Sequence, residues 1–485
     1  MKSWMKKLAI HYDKMRNLFP DDKLLILFDI DGTILDMRYM IFYLLKMYDK
    51  KNKTKYFKKL KVSDINVHEN HLKDLLMQLK ISSKKIEKIY TWCLKYRWTA
   101  EALHKSHYPF HGVMEVIRWF QMQVNTYVGL NTGRPRSIKK ETLYSLNRLA
   151  KEYKVYFDLD LFYMNANRIN ENIADSKVEG IIHFQKLGYR VIAVVDNEPD
   201  NLKAVSEYDK NNEILLLHAN TIFESKRKQL PEYAVSGKTY DITELIRQES
   251  LPRHIQFVCN GVNTNEKLKE FLKSNIQWAE FDILLDFMSE NIITCQDNFE
   301  DNSNQEDNDY LILKDIVEQV SNAGKSIKLD LKANGNLLNK LLKLLENDFI
   351  DQSRLWFTGN IQDIREEGFR KLAKKYPKSI IQATSNFLSP LIITMPDHVK
   401  SILIELKKWG INRLSLDWQV SHLSEIVDFL DENGFDVDIC SVPNLESFLK
   451  AVLLQPRSIT SDFNFPKWNY FKEKELDKQL LFTIR

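Results

Sequence analysis

Asp29 and Asp31 stand two residues apart, directly behind five apolar residues (Leu24 to Phe28) and in front of Gly32 and Thr33. A continuous apolar run of that length reads as a parallel strand buried on both faces. In open α/β sheets ligands collect at the carboxyl ends of strands, where this sequence puts both acids. Gly32 permits a sharp turn beside them, and Thr33 adds a hydroxyl. A second run, Thr126 to Leu130, leads into Asn131, Thr132, Gly133 and Arg134. A hydroxyl and backbone N–H groups at such a strand end can donate to phosphate oxygens, although Thr132 would serve equally as a helix cap. Lys177 lies near the start of a helical pattern that opens at Asp175 and ends near Gly188. The run Arg190 to Val195 then reaches Asp196-Asn197-Glu198-Pro199-Asp200, whose two aspartates can face one crevice across a proline-containing turn. Glu213 to Ala219 completes a parallel sheet of roughly five strands.

The chain that must position these groups has 485 residues, 44% hydrophobic and 28% charged, enough for two to three domains. A net charge of +4 over this length does not imply a nucleic-acid partner by itself. Cys93, Cys259, Cys295 and Cys440 form no CxxC, so neither a zinc site nor a disulfide framework is indicated. No apolar run reaches the roughly 18 residues that span a bilayer. The basic start, Met1 to Phe19, has its apolar residues interrupted by charge and reads as an amphipathic helix packed on the first domain. A cytoplasmic location is expected. From Met37 to about His107 the apolar residues recur at helical spacing without Gly or Pro, giving a helical insertion in the position of a lid. Within it Lys50 to Lys61 is a basic run. It reads as a solvated helix face, or else as a positive field for a phosphorylated small molecule, a nucleotide or a nucleic-acid end.

Taken in order, Asp29/Asp31 in DIDGT, Thr132 in NTGR, Lys177, and Asp196/Asp200 in DNEPD resemble the four motifs of the haloacid dehalogenase (HAD) superfamily. The resemblance covers about residues 20 to 220, and the insertion falls where many members carry a cap. It implies a Rossmann-like α/β domain over residues 1–222 with a helical cap at about 37–107. It also implies a phosphomonoesterase that works through an aspartyl-phosphate. Asp29 would be the nucleophile and Asp31 the acid and base, with a pKa raised by the neighbouring carboxylate. Thr132 and Lys177 would bind and stabilise the phosphoryl group, helped by Gly32, Thr33, Asn131 and Gly133. Asp29, Asp31, Asp196 and Asp200 would hold Mg²⁺.

After a linker at about 223–252, with the boundary near Ser250, residues 253–485 show a different rhythm. Apolar runs begin at Ile255, Ala279, Ser326, Arg354, Ser379, Arg413, Asp436 and Ser458, most of them separated by helical patterns. Eight strands alternating with helices indicate a closed (β/α)₈ barrel, of the TIM type. The acidic tract Glu300 to Asp309 reads as a solvated loop. Glu280 and Asp282 alternate on one strand, as do Asp330 and Lys332 on another, so each pair shares a face. Asp417 and Asp462 fall near strand ends. AEFDILL followed by ITCQDN, then IKLDLK and SITSDFNFP, resemble segments of the glycerophosphodiester phosphodiesterase barrels from about His254 to Trp468. That resemblance implies a second divalent-cation site at Glu280, Asp282 and Asp330. Asn260 and Gln296 stand where that family has its two catalytic histidines, and neither amide shuttles protons near neutral pH. The expected function is a Mg²⁺-dependent phosphomonoesterase fused to an inactive phosphodiesterase-like barrel. The alternatives are a two-step phosphodiesterase/phosphatase and a non-enzymatic phosphoryl-ligand binding protein.

Overall fold

The computed structural model describes residues 3–165, 172–221, 223, 228–286, 288–295, 310–332, 335–346, 350–463 and 465. Gln296 and the acidic tract 300–309 lie outside them. The chain divides into two compact units after Arg247.

The first unit is built on a parallel sheet of six strands in the order β3-β2-β1-β4-β5-β6. These are β1 (Lys23–Phe28), β2 (Thr126–Pro135), β3 (Phe162–Asn165), β4 (Tyr189–Asp196), β5 (Leu215–Ala219) and β6 (Val235–Gly237). β1 is central and pairs with β2 and β4, so Leu24 to Phe28 are buried on both faces, as their unbroken apolar run requires. Strand order reverses on either side of β1, which makes the carboxyl ends of β1, β2 and β4 a switch-point crevice. The sheet has one strand more than the sequence pattern suggests. β3 and β6 are short edge strands without a long apolar run, and β6 arises in the stretch read as linker, pairing with Leu217 to Ala219.

Helix α1 (Trp4–Leu18) buries Trp4, Met5, Leu8, Tyr12 and Met15 on this unit. Its Trp4 indole donates to the Thr239 carbonyl at 2.6 Å. The insertion after β1 forms α2 (Met37–Asn52), α3 (Leu72–Gln78), α4 (Ser83–Tyr96) and α5 (Ala100–Ser106). The Asp36 carboxylate starts α2 by accepting the Arg38 N–H at 3.0 Å. Only the first three residues of the basic run, Lys50 to Asn52, lie on a helix. α2 stops at Asn52, Lys53 turns left-handed, and Asp49 accepts from the Thr54 hydroxyl and the Tyr56 and Phe57 N–H groups. This acid-centred turn buries Phe57 while leaving Lys55, Lys58, Lys59 and Lys61 exposed. Helices α6 (Val113–Gln121), α7 (Lys139–Ala150), α8 (Ile173–Lys186) and α9 (Pro199–Tyr208) complete the unit.

The second unit is a barrel of eight parallel strands. In ring order they are β7 (Gln256–Cys259), β8 (Trp278–Leu285), β10 (Ser326–Leu331), β11 (Leu355–Thr358), β12 (Ile380–Thr384), β13 (Arg413–Asp417), β14 (Asp436–Val442) and β15 (Ser458–Ser461). Pairing of β15 with β7 closes the ring. All eight apolar runs of the sequence become barrel strands. The additional β9 (Ile292–Thr294) is antiparallel to β8 and lies outside the ring. Inside, Lys328 Nζ donates to Asp438 Oδ2 at 2.9 Å and to the Thr460 hydroxyl at 3.0 Å, and lies 2.7 Å from Glu280 Oε2. Burial pushes the Asp438 carboxyl up, but Lys328, Ser458 and Arg413 outweigh it and hold the group below the ordinary carboxylate range.

Gly180 on α8 packs against β2 so closely that an added Cβ would lie 2.6 Å from Asn131 Oδ1. Gly180→Ala therefore lowers stability by about 1–3 kcal/mol in urea unfolding of the intact chain; an unchanged midpoint would show that α8 is not seated on Asn131. Lys328→Met leaves Asp438 and Glu280 buried without their cation and costs about 3–5 kcal/mol. Because the Asp438 pKa is depressed on folding, its contribution is present above about pH 4 and is lost as pH falls through the lowered value. The variant should lose that part of the acid dependence, and an identical stability–pH curve would refute the pairing.

Candidate active site and cation sites

Lys177 sits on the second turn of α8 and reaches the ends of three strands. Its Nζ donates to Asp29 Oδ1 and to the Asn131 carbonyl, each at 2.6 Å, and lies 2.7 Å from Asp196 Oδ2. The Asn131 amide donates back to the Lys177 carbonyl at 2.8 Å, which fixes the helix against β2. Asp196 is held from behind by the Glu198 N–H at 2.9 Å and the Asn201 amide at 3.0 Å. Burial, opposed by Lys177 and reinforced by Asp196 and Asp31, pushes the Asp29 carboxyl up to about 7. Asp29 is the more deeply buried of the two acids at the end of β1.

Asp31 faces another cation. Arg134 grips it with Nε at 2.8 Å and Nη2 at 2.6 Å, a bidentate fork. The guanidinium is only 1% exposed, lies 5.1 Å from the Trp98 ring, and has Nη2 3.2 Å from His107 Nε2. Thr132 accepts the Arg134 N–H at 3.3 Å. Gly32 adopts φ +76°, and a side chain there would run into the Asn197 amide. The Thr33 hydroxyl is buried without a hydrogen-bond partner among the described residues.

Asp29, Asp31, Thr132, Gly133, Lys177 and Asp200 line one cavity of about 430 Å³, whose far side is lined by the cap. His68 of the cap bridges to the core, with Nε2 3.2 Å from Glu198 and 3.3 Å from Glu69. Burial draws the His68 imidazole down, but Glu198 and Glu69 outweigh it and raise its pKa. Arg134, His68 and Glu198 were given no role from sequence. Arg134 stands inside the quoted NTGR, whereas His68 belongs to an insertion without a motif.

The acids here are not gathered as a ready-made triad. Lys177 separates Asp29 from Asp196, Arg134 draws Asp31 aside, and Lys228 pairs with Asp200 at 2.6 Å. The donor set nevertheless suits a hard divalent cation. Asp29, Asp31 and Asp196 carry more charge than Lys177 and Arg134 neutralise, and burial works against the charge on Asp29. In the barrel, Glu280, Asp282 and Asp330 bring donor oxygens within 4.8 Å of one another, the one such triad found among the described residues. Register sets Glu280 beside Lys328 and Asp282 beside Asp330 on β8 and β10. Lys332 Nζ lies 2.8 Å from Asp282 and 2.6 Å from Asp330. The Asn263 amide holds Asp282 at 2.6 Å, while Asn260 turns to Asp462 at 3.1 Å. Asp417 ends β13 and bonds the Gln419 N–H instead of joining the triad.

Residues 26–176 match the family model for haloacid dehalogenase-like hydrolases. No match was found among curated proteins. Among solved structures, a phosphodiesterase of Oleispira antarctica in complex with the product sn-glycerol-3-phosphate is 14% identical, with a TM-score of 0.35, covering 44% of this chain and 94% of its own. A glycerophosphodiester phosphodiesterase of Agrobacterium tumefaciens is 12% identical, with a TM-score of 0.33, covering 43% and 96%. A HAD hydrolase of Bacillus subtilis bound to magnesium is 12% identical, with a TM-score of 0.30, covering 46% and 97%. The matched segment lies within the first unit and contains Asp29, Asp31 and Thr132, and the second unit is a closed barrel of eight parallel strands.

Proposed function

We propose that the first unit hydrolyses phosphate monoesters of small molecules with Mg²⁺ as cofactor and Asp29 as nucleophile. The observation that carries this reading is the Lys177 ammonium between Asp29 and Asp196 on the floor of a cavity that also presents Thr132. Lys177 holds Asp29 Oδ1, which leaves Oδ2 as the attacking atom. As the Asp29–phosphorus bond forms, the bond to the leaving oxygen breaks and Asp31 supplies that oxygen with a proton. Asp31 then takes a proton from water, whose oxygen attacks phosphorus and releases phosphate from Asp29. Arg134 holds both Asp31 oxygens, so each transfer requires Asp31 to turn one oxygen from the guanidinium toward the substrate. Thr132 and Lys177 meet the phosphoryl oxygens. Asp29, Asp196 and Asp200, with Asp31 alongside, would hold the cation, which when bound neutralises a dianionic ester.

A second reading concerns the barrel. The triad of Glu280, Asp282 and Asp330 favours a divalent-cation site there, while Asn260 lacks the proton chemistry for diester hydrolysis. The barrel then binds a phosphoryl ligand without cleaving it.

Two measurements test these readings. Asp29→Asn should lower phosphatase turnover at least about 1000-fold, and a chelator should abolish wild-type activity until Mg²⁺ is restored; normal rates in either case would contradict the mechanism. In calorimetry with Mg²⁺, Glu280→Ala should remove one binding event that Asp29→Asn retains. Identical titrations for wild type and Glu280→Ala would rule out the barrel site.

A further inference from the structure

The cavity wall opposite the acids carries an apolar stripe. Helix α2 sets Met37, Met40, Ile41 and Leu44 along one face at i, i+3, i+4, i+7 spacing, and all four line the cavity while only 3–7% exposed. Leu72 of α3 and Leu94 of α4 extend the same wall. Polar cap groups also reach the cavity away from this stripe: His68, which pairs with Glu69 and Glu198, Asn70, Tyr90, and Arg97, whose guanidinium lies 4.7 Å from the Trp98 ring. A leaving group rich in hydroxyls would lose water against α2 and gain no partner there.

Resting on the phosphomonoesterase reading, we infer that the substrate is the phosphate monoester of an apolar alcohol, alkyl or aryl, whose hydrocarbon part packs against the α2 stripe. The floor takes the phosphate, the wall takes the carbon chain, and the cavity of about 430 Å³ has room for both. The two ends of such a molecule match the two surfaces that face each other.

The test is kcat/KM of the intact wild-type chain on ethyl, butyl, hexyl and phenyl phosphate, against glycerol 3-phosphate and glucose 6-phosphate. The alkyl series should rise about three- to fourfold per added methylene, with both polyol phosphates below butyl phosphate. Leu94→Asn, at a position 43% exposed and so tolerant of a polar side chain, should flatten the series. Phosphatidic acid in vesicles, run beside the soluble esters, separates a membrane-borne source from a free one. A flat series, or a preference for the polyol phosphates at good turnover, overturns the substrate class and leaves the phosphatase reading standing. Absence of turnover on every ester overturns the phosphatase reading and this inference with it.

Discussion

A single ammonium group organises the first unit. Lys177 Nζ touches Asp29 of β1, the Asn131 carbonyl of β2 and Asp196 of β4, so one side chain ties the ends of three strands to α8. Burying one cation with two carboxylates is costly unless every partner is in place. The surrounding structure supplies those partners, through the Asn131–Lys177 clamp, the Asn201 amide on Asp196 and the close seat of Gly180. The same arrangement gathers Asp29, Asp31 and Asp196 around Lys177 and Arg134 at one end of the sheet, the donor set on which the proposed cation site rests.

The barrel solves a similar problem differently. Lys328 crosses its interior to Asp438 and Glu280, and Lys332 spans Asp282 and Asp330, so each acid already faces an ammonium. Lys328 is fully buried among polar groups and serves the closure of the ring. Lys332 is partly exposed at the strand end. A cation entering the triad would compete with Lys332 for Asp282 and Asp330 and with Lys328 for Glu280, leaving Lys328 its bond to Asp438.

Much of this was legible in the sequence because it is local. Apolar runs announced β1, β4 and all eight barrel strands, and acids stood within or at the ends of such runs in both units. The short strands β3, β6 and β9 were not legible, since three or four residues carry no periodicity and their existence depends on the edge they join. Long-range pairings were equally hidden. Arg134 meets Asp31 across 103 residues, and Lys328 meets Asp438 across 110; no local pattern encodes either. The lysine run after α2 misled because its charge looked like a helix face, while one acid, Asp49, folds it into a turn. The four acids proposed for Mg²⁺ lie at one end of the sheet, and their individual partners decide how each one points.

The most direct measurement is to quench a single turnover with acid and reduce the product with borohydride, which converts an acyl-phosphate carboxyl to an alcohol. Mass spectrometry of the peptide containing Asp29 should then show that residue, and no other acid, modified in proportion to phosphate transferred. Turnover that proceeds with Asp29 unmodified, or with the mark on a different carboxylate, would contradict the account.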